Sequence, residues 1–346
     1  MNKKNLICGI VLFVIMLLLL WTIISGSQNF SLRILKEYIA NANKFWLIMS
    51  FLCMFGFIWF EGHAVVRICQ ALGYNKASGH GALYGSADVF FSAITPSATG
   101  GQPACAYFMI TDGTPASAVT VILLINLIMY NLALVTLSLL SMAFGFKIFL
   151  SFSLISKLFI LVGIVVLLGM SLLFYFLLRK GELVYIFCNG ILKFLDKHRL
   201  IRNADAKRTK LKDTMNRYQT CSDVLVGKRK LILATYGWNI LQRLAQFGVS
   251  SALFLATGHD ARKSLIAGIT HCYVSVGSNS VPIPGSMGVA DYIMINGFDQ
   301  LVGTNNGLSM EILCRGLSFY GCIITSFAIV LVSFILRRSK SLKRSN

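Results

Sequence analysis

The chain has 346 residues, of which 56% are hydrophobic and 13% charged, and its mean hydropathy is +0.70. Because about a quarter of the residues in an ordinary soluble domain are charged, this composition excludes a soluble globular protein. The net charge of +19 is concentrated: of 32 Lys and Arg residues, 14 lie between Arg179 and Lys230 and five between Arg337 and Arg344. Basic clusters beside apolar segments mark the cytoplasmic face and bind anionic lipid, so we expect no nucleic-acid partner.

Six apolar runs are long enough to cross a bilayer of about 30 Å as helices. In chain order they cover residues 6–24, 45–66, 115–143, 154–178, 231–256 and 308–336. The first run follows Lys3 and Lys4 and is long for a signal peptide, which favours an uncleaved signal anchor. The sequence therefore predicts an all-α, polytopic integral membrane protein with six spanning helices.

Two further apolar regions, 81–112 and 264–300, are interrupted in the middle by Pro and Gly. The breaks lie at 94–103 and 279–288, and no unkinked helix continues through either. With both basic clusters in the cytoplasm, the positive-inside rule requires each region to leave by the face it entered. We therefore predict two re-entrant helical hairpins inserted from opposite faces, with both termini cytoplasmic.

The two breaks also resemble each other. Aligning Gly100 with Gly285 gives four identities in eleven positions: Gly100/Gly285, Tyr107/Tyr292, Met109/Met294 and Ile110/Ile295. Together with opposite insertion, this similarity is typical of the inverted repeats of transporters, whose broken helices meet near the middle of the membrane. Non-helical backbone at that depth lines protein or a wet cavity, so the breaks predict an internal binding site.

The chain divides into four parts by charge and hydropathy. These are a first membrane half (1–178), a basic segment (179–230), a second membrane half (231–336) and a basic tail (337–346). In the basic segment, apolar residues recur at helical spacing, among them Leu183, Ile186, Leu211, Met215 and Tyr218. This pattern favours amphipathic helices in the cytoplasmic interface; the alternative is a solvated linker.

Five of the thirteen acidic residues lie in or beside the membrane regions: Glu61, Asp88, Asp291, Asp299 and Glu311. Such groups are costly in lipid and face a cavity or a partner, and Arg67, Arg243 and Arg315 are the candidate ion-pair partners. Asp88 and Asp291 differ from the others because each lies near a break. We expect them to approach each other in one cavity, where either would hold a cationic substrate group or bind a coupling proton.

The glycines of the breaks can expose N–H groups at the starts of the following helices, where a lipid phosphate would bind. The alternative is that these glycines only permit the turns and close helix packing. The candidate substrate-binding residues are Asp88, Thr95, Pro96, Thr99, Gly100, Gly101, Gln102, Tyr107, Asn279, Ser280, Pro282, Pro284, Gly285, Gly288 and Asp291. Nucleotide-binding, zinc-helix and nucleophile-elbow motifs are missing from the sequence, so we predict no cofactor, metal ion or catalytic residue.

The break motifs carry a resemblance to a known family. The first runs from Thr95 to Pro103 and continues to Tyr107, and the second reads P-I-P-G-S-M-G-V-A-D from Pro282 to Asp291. They resemble the signatures of the membrane region of lysylphosphatidylglycerol synthases, the multiple peptide resistance factors, and of their stand-alone relatives. The second signature resembles PxPGxxGxxE, with Asp291 in place of the final Glu. The resemblance covers essentially the whole chain.

The resemblance implies lipid handling in a bacterial cytoplasmic membrane. Two-part members of this family transfer lysine from lysyl-tRNA to phosphatidylglycerol in a cytoplasmic domain, and their membrane part flips the product. Because the chain ends soon after its last predicted helix, we expect no such catalytic domain. The sequence thus favours a flippase for an anionic or aminoacylated phospholipid, alone or as a homo-oligomer. The alternatives are a phosphatidylglycerol lysyltransferase, or the membrane subunit of a split one, and a noncatalytic membrane scaffold.

Overall fold

The computed structural model describes residues 40–182, 185–186, 189–190, 193, 204–279, 281–303 and 306–345, without the side chains of 204–210 and 338–345. Every regular element within these ranges is helical, as the sequence predicts. The predicted span at 6–24 and the candidate residue Ser280 lie outside the described residues.

Twelve helices are described, together with three short non-α turns. The helices are α1 (Lys44–Ala71), α2 (Ser78–Ile94), α3 (Gly101–Thr111), α4 (Ala116–Phe144), α5 (Phe146–Ser151), α6 (Leu154–Arg179), α7 (Ala204–Val226), α8 (Arg229–Ala256), α9 (Ala261–Asn279), α10 (Val289–Val302), α11 (Gly307–Arg315) and α12 (Cys322–Ser345). A 3-10 turn lies at Pro96–Ala98 and another at Pro284–Ser286, and a π-helical stretch (Gly316–Gly321) joins α11 to α12.

Four helical segments are long and apolar enough to cross a membrane. They are α1, α4, α6 and the stretch Gly307–Arg337. The predicted run 231–256 lies within α8, but the buried side of α8 carries polar residues, including Asn239, Gln242 and Arg243. Those polar residues lower its hydropathy, and its crossing of the membrane stays a prediction.

Each interrupted region forms two packed helices joined by a turn. Helix α2 packs on α3, and α9 packs on α10. The two ends of the first pair lie side by side, because Nε2 of His80 is 4.0 Å from Oδ2 of Asp112. This geometry suits segments that enter and leave by one face, although their depth and opposite insertion remain predictions.

The two turns share the backbone conformation of their first four residues and differ at the next, where ψ is −17° at Thr99 and 144° at Met287. In each, an extended residue precedes a proline, Pro96 or Pro284, and the next two residues have positive φ. These φ angles are 51° and 53° in the first turn and 61° and 50° in the second. Helices α3 and α10 then begin, capped by Gly100 and Gly288.

The alignment of Gly100 with Gly285 is therefore wrong by three residues, since Gly100 corresponds to Gly288. The positive-φ positions of the first turn are Ser97 and Ala98, which are not glycines. Gly285 corresponds to Ser97, so an alignment that pairs Gly285 with a glycine misses the register. The similarity of the two halves lies in the backbone of the turns, and the two turns contact each other, with Cα atoms within 8 Å.

Helices α1 and α2 approach each other at glycines. A Cβ on Gly62 would lie 1.8 Å from the carbonyl oxygen of Gly81, and one on Gly85 would lie 2.5 Å from that of Ile58. Only glycine permits such backbone contact, which is typical of membrane helix pairs with small residues at the interface. The crossing places Glu61, next to Gly62, beside Asp88, one turn after Gly85.

Part of the basic segment packs on the bundle. The hydroxyl of Tyr218 on α7 donates to the carbonyl of Leu177 at 2.8 Å, and that of Ser222 donates to Leu178 at 2.6 Å. Both side chains are fully buried. This part of α7 is thus a docked helix, which excludes a solvated linker there. Its place at the membrane interface stays a prediction.

Candidate functional site

A cavity of about 620 Å³ lies where the helices meet the two turns. Of the candidate substrate-binding residues, its lining includes Asp88, Thr99, Gln102, Asn279 and Gly285. Glu61, Arg243 and Arg315, expected only as ion-pair partners, also line it. The sequence-predicted residues that the structure describes elsewhere are Thr95, Pro96, Gly100, Gly101, Tyr107, Pro282, Pro284, Gly288, Asp291, Arg67 and Glu311.

Glu61 and Asp88 form a carboxyl pair on the cavity wall. Their side chains lie within hydrogen-bonding reach of each other. Each has one oxygen held by an amide: Nδ2 of Asn126 donates to Oε1 of Glu61 at 2.8 Å, and Nε2 of Gln102 donates to Oδ1 of Asp88 at 3.2 Å. Glu61 is 2% exposed, and its Oε2 has no hydrogen-bond donor among the described residues.

Gly101 supports this pair without lining the cavity. A Cβ at that position would lie 2.3 Å from Oδ1 of Asp88 and 2.1 Å from Oγ of Ser92. The second glycine of the motif therefore lets the start of α3 approach Asp88 on α2. Its role is close packing, one of the two alternatives that the sequence left open.

Arg243 is a buried guanidinium that faces the cavity. It is 2% exposed, stacks over the ring of Tyr130 with 3.8 Å to the centroid, and donates from Nη1 to Oε1 of Gln246 at 2.5 Å. Its Nε and Nη2 have no hydrogen-bond partner among the described residues. Within those residues no carboxylate lies within 4.0 Å of it, so the expected ion pair is not formed. The nearby Glu61 is held by Asn126 instead.

Arg315 forms a denser cluster next to the second turn. Its Nε lies 2.9 Å from Oδ1 of Asp291 and 3.9 Å from Oε1 of Glu311, and its Nη2 donates to the carbonyl of Gly285 at 3.4 Å. Its guanidinium also lies over the ring of Phe319, 4.6 Å from the centroid. Two carboxylates thus compensate this arginine, so it is less available to an anion than Arg243.

Asp291 occupies the start of α10. Its Oδ2 accepts the backbone N–H of Gly288 at 2.9 Å. A carboxylate of the chain itself therefore stands where the sequence suggested a lipid phosphate. Asp88 and Asp291 have separate partners, and only Asp88 belongs to the described cavity lining.

The remaining candidates have local roles or face outward. Oγ1 of Thr95 accepts the N–H of Gly100 at 2.8 Å, and Oγ1 of Thr99 donates to the carbonyl of Pro96 at 2.9 Å, so both stabilise the first turn. Tyr107 is 59% exposed, and Arg67 is also exposed, with no carboxylate within 4.0 Å among the described residues.

Sequence reasoning missed several polar residues of the lining. Four of them, Asn126, Tyr130, Gln242 and Gln246, form two pairs. Asn126 and Tyr130 lie on α4, and Gln242 and Gln246 lie on α8. The members of each pair are four residues apart, which places both on one face of a largely apolar helix. Polar residues at this spacing were the signal in the sequence that could have predicted them.

A second polar cluster lies where α3 ends. Arg337 holds Asp112 with two contacts, Nη1–Oδ1 at 2.8 Å and Nη2–Oδ2 at 2.9 Å, and the hydroxyl of Tyr84 donates to Oδ2 at 2.7 Å. Burial by itself would raise the pKa of Asp112, but the hydrogen bonds from Arg337 and Tyr84 and the charges of Arg337 and His80 outweigh it. The pKa of Asp112 is therefore lowered from its ordinary value. This cluster ties the first hairpin to the end of the last membrane helix.

Comparison with known proteins agrees with the motif resemblance. A family model described as the lysylphosphatidylglycerol synthase TM region matches residues 6–326. A UPF0104 membrane protein of Archaeoglobus fulgidus is 25% identical over 312 residues, which are 86% of this chain and 90% of that protein. No solved structure shows significant similarity to the chain. The chain belongs to the family of membrane proteins defined by the lysylphosphatidylglycerol synthase transmembrane region.

Proposed function

We propose that this protein is a lipid flippase whose substrate is an anionic or aminoacylated phospholipid. The observation that carries the proposal is Arg243, whose Nε and Nη2 are unpartnered among the described residues, in a cavity of about 620 Å³. A guanidinium presents a planar fork of donors that matches the oxygens of a phosphate. A buried cation without such a partner is costly, and a lipid phosphate would supply it.

The cavity wall supports a substrate with two kinds of surface. Arg243 and the amides Gln242, Gln246 and Asn126 form a polar side, whereas α6 contributes Val166, Leu167, Met170 and Phe174. An apolar side next to a phosphate-binding side suits a head group with acyl chains better than a bare ion.

The test is transport by the purified protein in liposomes that contain a labelled phosphatidylglycerol. The wild-type protein should accelerate its movement between leaflets, and Arg243→Gln should slow that movement. Hydrogen bonds to charged groups contribute about 1.5–3 kcal/mol, which corresponds to roughly a 10- to 150-fold loss in affinity. Arg217→Gln, a change in the basic helix α7, is the matched control and should leave transport intact.

The same preparation separates the alternatives. Formation of lysylphosphatidylglycerol from lysyl-tRNA by this chain would indicate a lysyltransferase. Absence of acceleration for every head group tested would favour a scaffold. A lysylated lipid and plain phosphatidylglycerol should both depend on Arg243, because both carry the phosphate.

We further propose that the protein resides in a bacterial cytoplasmic membrane with both termini in the cytoplasm. The basic segment would then contact anionic lipid head groups, each Lys or Arg near the surface contributing about 1 kcal/mol. The docking of α7 on α6 and the junction of Arg337 with Asp112 support one common face for the basic segment, the first hairpin and the tail.

A further inference from the structure

We propose that Glu61 and Asp88 form a proton-binding site, which holds one shared proton and takes up a second when an anionic head group binds Arg243. The coupling to lipid binding rests on the proposed function, whereas the shared proton does not. The ligand of the site is a proton, and the consequence is that lipid binding and proton uptake are coupled.

The fold forces the two carboxyl groups together. The glycine contacts between α1 and α2 set Glu61 beside Asp88, and Gly101 lets α3 close over Asp88. Asn126 and Gln102 each donate to one oxygen of the pair, which fixes the orientation of both groups.

Two ionised carboxylates cannot stay within hydrogen-bonding reach in a buried site, because their repulsion is weakly screened there. Asn126 and Gln242 supply side-chain hydrogen bonds to Glu61, while its Oε2 has no partner within hydrogen-bond geometry among the described residues, so a hydroxyl on the neighbouring carboxyl is a donor that fits there. A proton between the two groups resolves both problems. The pair then titrates as one unit.

The neighbouring charges set the number of protons. Arg243 on α8 is the cation that acts on both acids, while Tyr130 on α4 and Cys105 on α3 face them as neutral groups. One shared proton leaves the pair with a single negative charge, which Arg243 stabilises from beyond ion-pair distance. An anion on Arg243 weakens that stabilisation, so the pair takes up a second proton from the bulk solvent.

A proton fits this site better than a metal cation. The described residues contain no group of three or more His, Cys, Asp or Glu side chains that could hold a metal ion. Asn126 and Gln102 direct N–H groups at the pair, whereas Oε1 of Gln102 and Oε1 of Gln242 are acceptors without a partner among the described residues, so Na⁺ is the competing ligand to test. We expect that addition of Na⁺ does not replace the proton.

The shared proton is tested without any lipid. The infrared spectrum of the purified protein at pH 7 should contain a protonated carboxyl band that shifts in D₂O and is lost or displaced in both Glu61→Gln and Asp88→Asn. Asp223→Asn, on the exposed side of α7, is the control and should leave it unchanged. Glu311 is another buried acid, outside the pair. A carboxyl band that persists in all variants is therefore assigned to an acid such as Glu311 and not to the pair. A wild-type spectrum that neither variant alters would overturn the site.

The coupling is tested by adding short-chain phosphatidylglycerol to the protein in weak buffer with a pH indicator. We expect proton uptake in the wild type and none in the double variant Glu61→Gln/Asp88→Asn, whose affinity for the lipid should no longer change with pH. Binding without proton uptake in the wild type, or uptake replaced by Na⁺, would refute the coupling. Absence of binding would refute the proposed lipid function instead, while the infrared result would still decide the proton site.

Discussion

Replacing Gly62 with alanine should force α1 and α2 apart. The added Cβ would lie 1.8 Å from the carbonyl oxygen of Gly81, whereas ordinary van der Waals contact begins at 3.4 Å, so the helices must separate by about 1.6 Å. The obstructing atoms of Gly81 belong to the backbone, so no change of side-chain rotamer relieves the clash. We therefore expect a loss near the upper end of the range for overpacking, about 3 kcal/mol. The same shift would separate Glu61 from Asp88.

Stability of the purified variant can be followed by thermal or SDS-induced unfolding in detergent. The matched control is Gly237→Ala in α8, where nothing lies within 4 Å of the added Cβ. This change should stabilise the helix by up to about 1 kcal/mol, because alanine favours a helix more than glycine does. If Gly62→Ala unfolds like Gly237→Ala and keeps its transport rate, the described crossing of α1 and α2 is wrong.

Three further outcomes are expected. Asp112→Asn should lower stability at pH 7 by about 1 kcal/mol, because it weakens the partly exposed pair with Arg337. The pKa of Asp112 is lowered in the folded protein, so the stabilising effect of the Asp112 carboxylate should fade as the pH falls below the ordinary value of 3.8. Melting curves of both proteins at pH 7 and pH 3 check this, and equal differences at the two values would contradict it. Gly285→Ala should destabilise the second turn, since the Cβ would lie 2.3 Å from the ring of Phe319 and φ is +61°. Gly113→Ala, at a position with positive φ but open space, is the control and should lower stability less in the same unfolding assay. Cysteines at His80 and Arg262 should react with impermeant reagents from the cytoplasmic and the outer side respectively, and labelling of both from one side would exclude opposite insertion of the hairpins.

The sequence predicted the helical class and the positions of the breaks because both depend on local properties. Apolar runs of sufficient length define the spans, and Pro with Gly interrupts the helices at 94–103 and 279–288. The register between the two turns was predicted incorrectly, because Ser97 and Ala98 adopt a backbone conformation that sequence reasoning reserves for glycine.

The roles of the charged residues were harder to predict. Arg243 seemed a natural ion-pair partner for any buried acid, but pairing depends on which helix faces meet. The α1–α2 glycine contacts direct Glu61 towards Asp88, and Asn126 takes one of its oxygens. Arg243 was left to stack on Tyr130. Such arrangements arise from long-range packing and leave no periodic pattern in the chain.

The contact between the two turns has a consequence for biogenesis. Pro96 and Pro284 are separated by 188 residues, so the first turn is synthesised long before the second turn that contacts it. At about 5–20 residues per second, the interval is roughly 10–40 s. During that time the first turn depends on its own hydrogen bonds, such as the one that Oγ1 of Thr95 accepts from the N–H of Gly100. The contact between the two turns, and the cavity that both of them line, form only after the second half has been synthesised.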